Sequence, residues 1–175
     1  QLRRLYAAAR SWSRGQAALA ENQITVVAGT SAGLGAVLLS VLDAGDEVLV
    51  FEPYFEGYLQ AVAMAQAITV PVPLSQGEGK GACRWTIDEA ALRARITERS
   101  KVIIVNSPHN PTGRVFSAAE LAVVARVALE HDLLVVSDEV YGLLAFGDNA
   151  PLSMRDLPGM SDRTVVIDGL SKTHN

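Results

Sequence analysis

Lys101-Val102-Ile103-Ile104-Val105-Asn106-Ser107-Pro108-His109-Asn110-Pro111-Thr112-Gly113 is the stretch that decides the fold. Val102 to Val105 is a continuous apolar run with no position reserved for solvent, which describes a strand buried on both faces. Polarity then changes abruptly, and two prolines and a glycine fix a loop directly after the strand. Strands of this kind belong to parallel sheets covered by helices, and such sheets bind ligands at the carboxyl ends of their strands. The stretch therefore predicts an architecture and also the rim on which chemistry should be sought.

Downstream, Ser117-Ala118-Ala119-Glu120 has the spacing of a capping box and opens a helix with Leu121, Val124, Ala128 and Leu129 inward. Leu133 to Val136 reads as another buried strand and Thr164 to Ile167 as the last. Upstream, Glu47 to Phe51 is a strand ended by Pro53, followed by a helix through about Met64 and a strand from Ile68 to Val72. Ile24 to Val27 is a short β-prone run. It precedes a helix carrying Leu34, Val37, Leu38, Val41 and Leu42, stopped by Asp43-Ala44-Gly45-Asp46. Thr86-Ile87-Asp88-Glu89 suggests a second capping box, with Leu92 and Ile96 on the buried face, and Ser75 to Arg84 reads as a surface loop. Leu2, Leu5, Ala9 and Trp12 recur at helical spacing, with Arg3, Arg4, Arg10 and Arg14 as the solvated face of that helix. Strands and helices alternate throughout. The expectation is an α/β fold, a mostly parallel central sheet with helices on both faces, in one domain over residues 1–175.

Composition narrows the function. The 175 residues are 49% hydrophobic and 19% charged, a globular balance, and the formal net charge of -4 comes without acidic or basic blocks. That argues against a nucleic-acid or membrane-surface partner. Cys83 is the single cysteine, so no internal disulfide can form, and a cytoplasmic setting is expected. The chain begins without Met, inside a helical pattern, and stops three residues past Lys172, so it reads as part of a longer protein truncated at both ends.

Polar residues collect just after the strands, as the architecture requires. Gly29-Thr30-Ser31 offers backbone N–H groups and two hydroxyls to an anion, although small residues also begin helices simply as caps. The spacing is neither GxGxxG nor GxxxxGK[ST], which disfavours a nucleotide site. Pro53 to Phe55 brings an aromatic. Asn110, between prolines, has an amide on extended backbone that can be aimed. His109 has no partner at metal-ligand spacing; no metal is expected, and His109 reads as a loop residue. In Ser137-Asp138-Glu139-Val140-Tyr141, the Asp138 carboxylate follows a wholly apolar strand and either caps the next segment or needs a cation, which a protonated ring nitrogen would supply. Glu139 points the other way and is assigned no chemistry. Lys172, in Asp168-Gly169-Leu170-Ser171-Lys172-Thr173, also follows a strand, and a partly buried lysine there can form an imine with a carbonyl.

Together Gly29-Thr30-Ser31, Asn110-Pro111-Thr112-Gly113, Ser137-Asp138-Glu139-Val140-Tyr141 and Ser171-Lys172-Thr173 resemble the class I/II, fold-type-I aminotransferases that depend on pyridoxal phosphate. Glu52-Pro53-Tyr54-Phe55 and Leu157-Pro158-Gly159-Met160 further resemble the branch containing kynurenine, glutamine and methionine transaminases and cysteine-conjugate β-lyases. The resemblance implies that the chain is the cofactor-binding large domain, without the small domain. It implies that Lys172 holds the cofactor as an internal aldimine and shuttles a proton, and that Asp138 pairs with the pyridinium nitrogen. Asn110 and Tyr141 would bond the ring's phenolic oxygen, Phe55 would stack on the ring, and Thr30 and Ser31 would hold the phosphate.

The substrates it implies are an amino acid and a 2-oxo acid, and the assembly a homodimer. Two departures stand out. Gly169 occupies a position where the family usually has a hydroxyl, and the family's phosphate-binding and α-carboxylate-binding arginines lie beyond Asn175, so the isolated chain is expected to be inactive. Two alternatives remain at this point. One is a C–S β-lyase, although Tyr141 stands where many bacterial lyases have His; the other is a non-catalytic aminotransferase-like module.

Overall fold

The computed structural model describes residues 1–14, 19–77, 84–146 and 151–173; the side chains of residues 9–14 and of Arg84 fall outside that description. The expectations for Arg10, Trp12, Arg14 and Cys83 therefore concern side chains outside the described set. Five α-helices are defined: α1 (Leu2–Arg14), α2 (Thr30–Val41), α3 (Gly57–Met64), α4 (Glu89–Arg93) and α5 (Ala118–Glu130). The strands are β1 (Glu47–Glu52), β2 (Ile68–Pro73), β3 (Ser75–Gly77), β4 (Arg84–Thr86), β5 (Ser100–Asn106), β6 (Leu134–Asp138) and β7 (Thr164–Ile167). Five of them form one sheet in the order β2-β1-β5-β6-β7, and every pairing in it is parallel.

The order explains the layers. From β1 the chain steps one way to β2, then returns across β1 to β5 and continues to β6 and β7. Right-handed crossovers in opposite directions put their helices on opposite faces of the sheet. Accordingly α3 packs with α2 on one face and α4 with α5 on the other. The strands supply both cores by alternation: Val48, Val50, Val102, Ile104 and Val136 face α2 and α3, while Leu49, Phe51, Ile103, Val105 and Val135 face α4 and α5. Each such fully buried aliphatic contributes about 1.5–3 kcal/mol relative to exposure.

Several local expectations hold in detail. β7 spans Thr164–Ile167 as read, and Ser117 forms the reciprocal box with Glu120, accepting from its N–H at 3.3 Å while Ser117 N–H donates to Oε2 at 2.8 Å. Others are corrected. Leu129 is 44% exposed, and Ala125 and Val127 take the inward positions on α5 instead. α4 is capped by Asp88, whose Oδ1 accepts from Ala90 and Ala91 N–H, rather than by Thr86, which ends β4. Ser75 to Arg84 is not wholly loop, because β3 and β4 pair antiparallel at its base. Leu2 and Leu5 are exposed on α1 rather than buried.

Ile24 to Val27 is not a strand: it joins neither sheet, and Val26 and Val27 are exposed. β-propensity favours a pleated neighbour-packed surface, and no described strand pairs with this run.

Candidate active site

Topology points to the place before any side chain does. The order of strands reverses at β1, so the crevice beyond the carboxyl ends of β1 and β5 is the switch point where α/β sheets bind ligands. Register then lines up the ends of three strands: Asn106 lies opposite Asp138, and Asp138 opposite Ile167. Neighbouring strands stand about 4.8 Å apart, so the segments leaving β5, β6 and β7 emerge side by side.

Asn106 organises the first of these segments. Its Nδ2 donates to the Asp138 backbone carbonyl at 2.9 Å, and its Oδ1 accepts the Asn110 N–H at 2.6 Å. The buried amide thus ties the Asn110 loop to the end of β6. Ser107 adds a bond from the Phe116 N–H to its Oγ at 3.1 Å, and His109 N–H donates to the Arg114 carbonyl at 2.7 Å. Asn110 is half-buried at the tip of this braced loop. Asn106 was read only as the start of a loop; a polar residue closing an apolar strand was the signal of its role.

His109 is buried, only 4% exposed. Its Nδ1 shares a hydrogen bond with Thr112 Oγ1 at 2.8 Å, its ring bonds the Phe51 backbone, and Phe116 packs against it with ring centroids 5.4 Å apart. It is a loop residue, as expected. Burial pushes its pKa down to about 4. The unfolded chain therefore binds more protons than the folded one between about pH 6.5 and that value, so stability rises with pH across this window. Between about pH 7 and about pH 5 the wild-type protein should lose on the order of 2 kcal/mol through His109. In urea unfolding over that range, His109→Gln is expected to have a flatter slope; an unchanged slope would remove His109 from the account.

Asp138 sits at the centre of the rim. Tyr58 Oη donates to its Oδ2 at 2.7 Å and Val140 N–H to its Oδ1 at 3.3 Å. Burial raises its pKa, the two hydrogen bonds oppose that, and the Asp168 and Glu139 carboxylates add to it. Glu139 points to the opposite side as expected, where it is buried and accepts from Ser137 Oγ at 2.9 Å and from Ser153 Oγ. Tyr58 was not foreseen. It lies three residues after Phe55 in the first turn of α3, and the two rings meet edge-on with centroids 5.6 Å apart at 90°. Phe55 itself is 44% exposed.

Gly29 has φ 97°, a backbone that favours glycine, and opens α2 without a capping side chain or an acidic residue in the first turn. That leaves the first-turn N–H groups beside half-buried Thr30 and exposed Ser31 for an anion. The loop after β7 comes close to it: a Cβ on Gly169 would lie 2.9 Å from the Thr30 methyl. Here the absent hydroxyl has a steric counterpart, since Thr30 fills the space against residue 169.

Lys172 is in the turn after β7 with Nζ 6.0 Å from the Tyr141 ring centroid, and Tyr141 is half-buried. Contrary to expectation Lys172 is exposed, in the turn that follows β7. The chain has three lysines. Lys101 is the second residue of β5, at the opposite end of the sheet, and Lys80 is outside the described residues, so Lys172 is the one described lysine on this rim. An amine, a carboxylate held by a phenol, an aromatic face, an amide and an anion-receptive helix end fit the pyridine ring, aldehyde and phosphate of pyridoxal phosphate.

The comparisons agree. The family model for aminotransferase class I and II matches residues 1–175. Among curated proteins, the probable N-succinyldiaminopimelate aminotransferase DapC of Mycobacterium tuberculosis is 40% identical over 174 residues, 99% of this chain and 43% of that protein. Human kynurenine–oxoglutarate transaminase 3 is 36% identical over 155 residues, 86% of this chain and 34% of that protein. The solved N-succinyldiaminopimelate aminotransferase of Mycobacterium tuberculosis superposes with a TM-score of 0.91 at 39% identity, over 98% of this chain and 44% of that one. The chain thus spans less than half the length of these relatives. With a family model matching end to end and the large-domain fold in common, the chain belongs to the class I and II aminotransferases, whose members depend on pyridoxal phosphate.

Proposed function

We propose that the protein carrying this chain transfers an amino group between an amino acid and a 2-oxo acid, and that residues 1–175 are its cofactor-binding large domain. The observation that carries this reading is the convergence of Asn106, Asp138 and the Lys172 turn on one rim, with Lys172 the only described lysine there. Pyridoxal phosphate, when bound, supplies the electron sink for charge developing at the substrate Cα. Lys172 Nζ would hold the cofactor's aldehyde carbon and, when free, would serve as the proton carrier at the substrate Cα. Asp138 would keep the ring nitrogen protonated, and the Tyr58 and Val140 donors favour its ionised form against the burial that raises its pKa. Asn110 and Tyr141 would donate to the ring's phenolic oxygen, Phe55 would cover one ring face, and Thr30 and Ser31 with the α2 amides would receive the phosphate.

Relatives named as aminotransferases and transaminases support transfer over the β-lyase and non-catalytic readings. A cytoplasmic homodimer fits the single cysteine and the exposed Leu143, Leu144, Phe146 and Leu170 near the rim, the kind of apolar surface a partner covers. No described helix is long and apolar enough to cross a membrane. The test is to incubate the cofactor-loaded protein with panels of amino acids and 2-oxo acids. The expected products are the exchanged pair in equal amounts. Pyruvate and ammonia from a cysteine conjugate, with no exchange, would establish the lyase instead.

A further inference from the structure

We propose that Tyr58 is a positioning residue of this site, holding the Asp138 carboxylate ionised and aimed while bracing the Phe55 ring. The proposal rests on the pyridoxal-phosphate reading above. Its basis is geometric. Tyr58 is 3% exposed, and a buried tyrosine needs a partner for its hydroxyl, a need that any backbone carbonyl would meet. Instead it donates to a carboxylate 80 residues away in sequence, at the centre of the rim, with a 2.7 Å bond. The same ring presents its neighbour Phe55 edge-on at 5.6 Å and 90°, so one side chain touches both the charged and the stacking partner.

The charged groups around Asp138 explain why the phenol matters. Burial, Asp168 from the end of β7 and Glu139 from the adjoining position all favour a protonated Asp138. Asp168 is itself held by Tyr6 Oη at 2.6 Å and the Gly169 N–H at 2.7 Å. Tyr141 also acts electrostatically on the Tyr58 phenol. Two donors oppose protonation, one on each oxygen, and the Val140 N–H is the longer at 3.3 Å. Without the phenol the Asp138 pKa moves further up, and a protonated Asp138 would not anchor a proton on the ring nitrogen. A less electron-withdrawing ring leaves the Lys172 nitrogen bonded to it more basic.

Tyr58→Phe removes one oxygen and keeps the edge contact with Phe55. In the cofactor-loaded protein, the pH midpoint of the visible absorbance band is expected to rise by about one pH unit. The cofactor dissociation constant should rise about tenfold, and kcat should fall about tenfold with KM little changed. In the cofactor-free protein, the Asp138 carboxyl carbon signal in NMR should titrate at higher pH in the variant than in wild type. Equal midpoints, equal cofactor affinity and equal Asp138 titration, with a visible band present in both proteins, would overturn the role of Tyr58 alone. A wild-type protein that develops no visible band with pyridoxal phosphate would overturn the cofactor reading and this proposal with it.

Discussion

Lys172→Ala is expected to lose the visible cofactor band and to lower transamination by about 10⁴-fold or more, the upper end of what a positioned proton carrier contributes. In the proposed mechanism the effect is large because a single nitrogen would both attach the cofactor and move the proton. Lys101 cannot substitute by position, since it is the second residue of β5, at the far end of the sheet. The fold should be indifferent. Lys172 is exposed in a turn, and surface substitutions usually change stability by less than about 0.5 kcal/mol. Steady-state rates with thermal unfolding on the same samples check both halves. A loss of activity matched by a lower melting temperature would speak for a structural lysine.

Asp138→Asn is the second large effect. Removing one partner of a buried charge pair costs about 3–5 kcal/mol, roughly 10²–10⁴-fold in kcat/KM if that pairing is made in the transition state. Asparagine preserves the shape and can still accept from Tyr58, but it cannot hold a proton on a ring nitrogen. The sign of the stability change separates function from architecture. Burial raises the Asp138 pKa, so in the cofactor-free protein the charged form is held at a cost near neutral pH. The cofactor-free variant should therefore unfold at the same temperature as wild type or higher. Activity within tenfold of wild type, or a clearly less stable cofactor-free variant, would count against the assigned role.

The fold was legible because its signals were redundant. Val102 to Val105 and Leu133 to Val136 have no polar position, which only a two-sided core tolerates, and Ser117 with Glu120 announces its helix by reciprocal hydrogen bonds. Failures came where local pattern competed with tertiary context. Ile24 to Val27 has strand propensity without a strand beside it, and Leu129 falls at helical spacing but past the edge of the buried stripe. Thr86 had the right letter for a cap, yet Asp88 bears the better oxygen at the position where the backbone turns.

The site was legible one residue at a time but not as a network. Asp138, Asn110, Phe55 and Lys172 each follow a strand, and that rule selects them from sequence. Tyr58 lies inside a helical turn, where a tyrosine usually signifies packing, and only the tertiary fold, which brings its hydroxyl to the end of β6, reveals its hydrogen bond to Asp138. Gly169 was legible as a missing hydroxyl, but the Thr30 methyl that occupies the space appears only when the β7 loop meets α2.

Borohydride reduction of the cofactor-loaded protein followed by peptide mass mapping tests the central claim most directly. The pyridoxyl mass should fall on the peptide containing Lys172 and be absent from peptides containing Lys80 or Lys101. Label confined to either of those two, or no label on a protein that retains bound cofactor, would contradict the account.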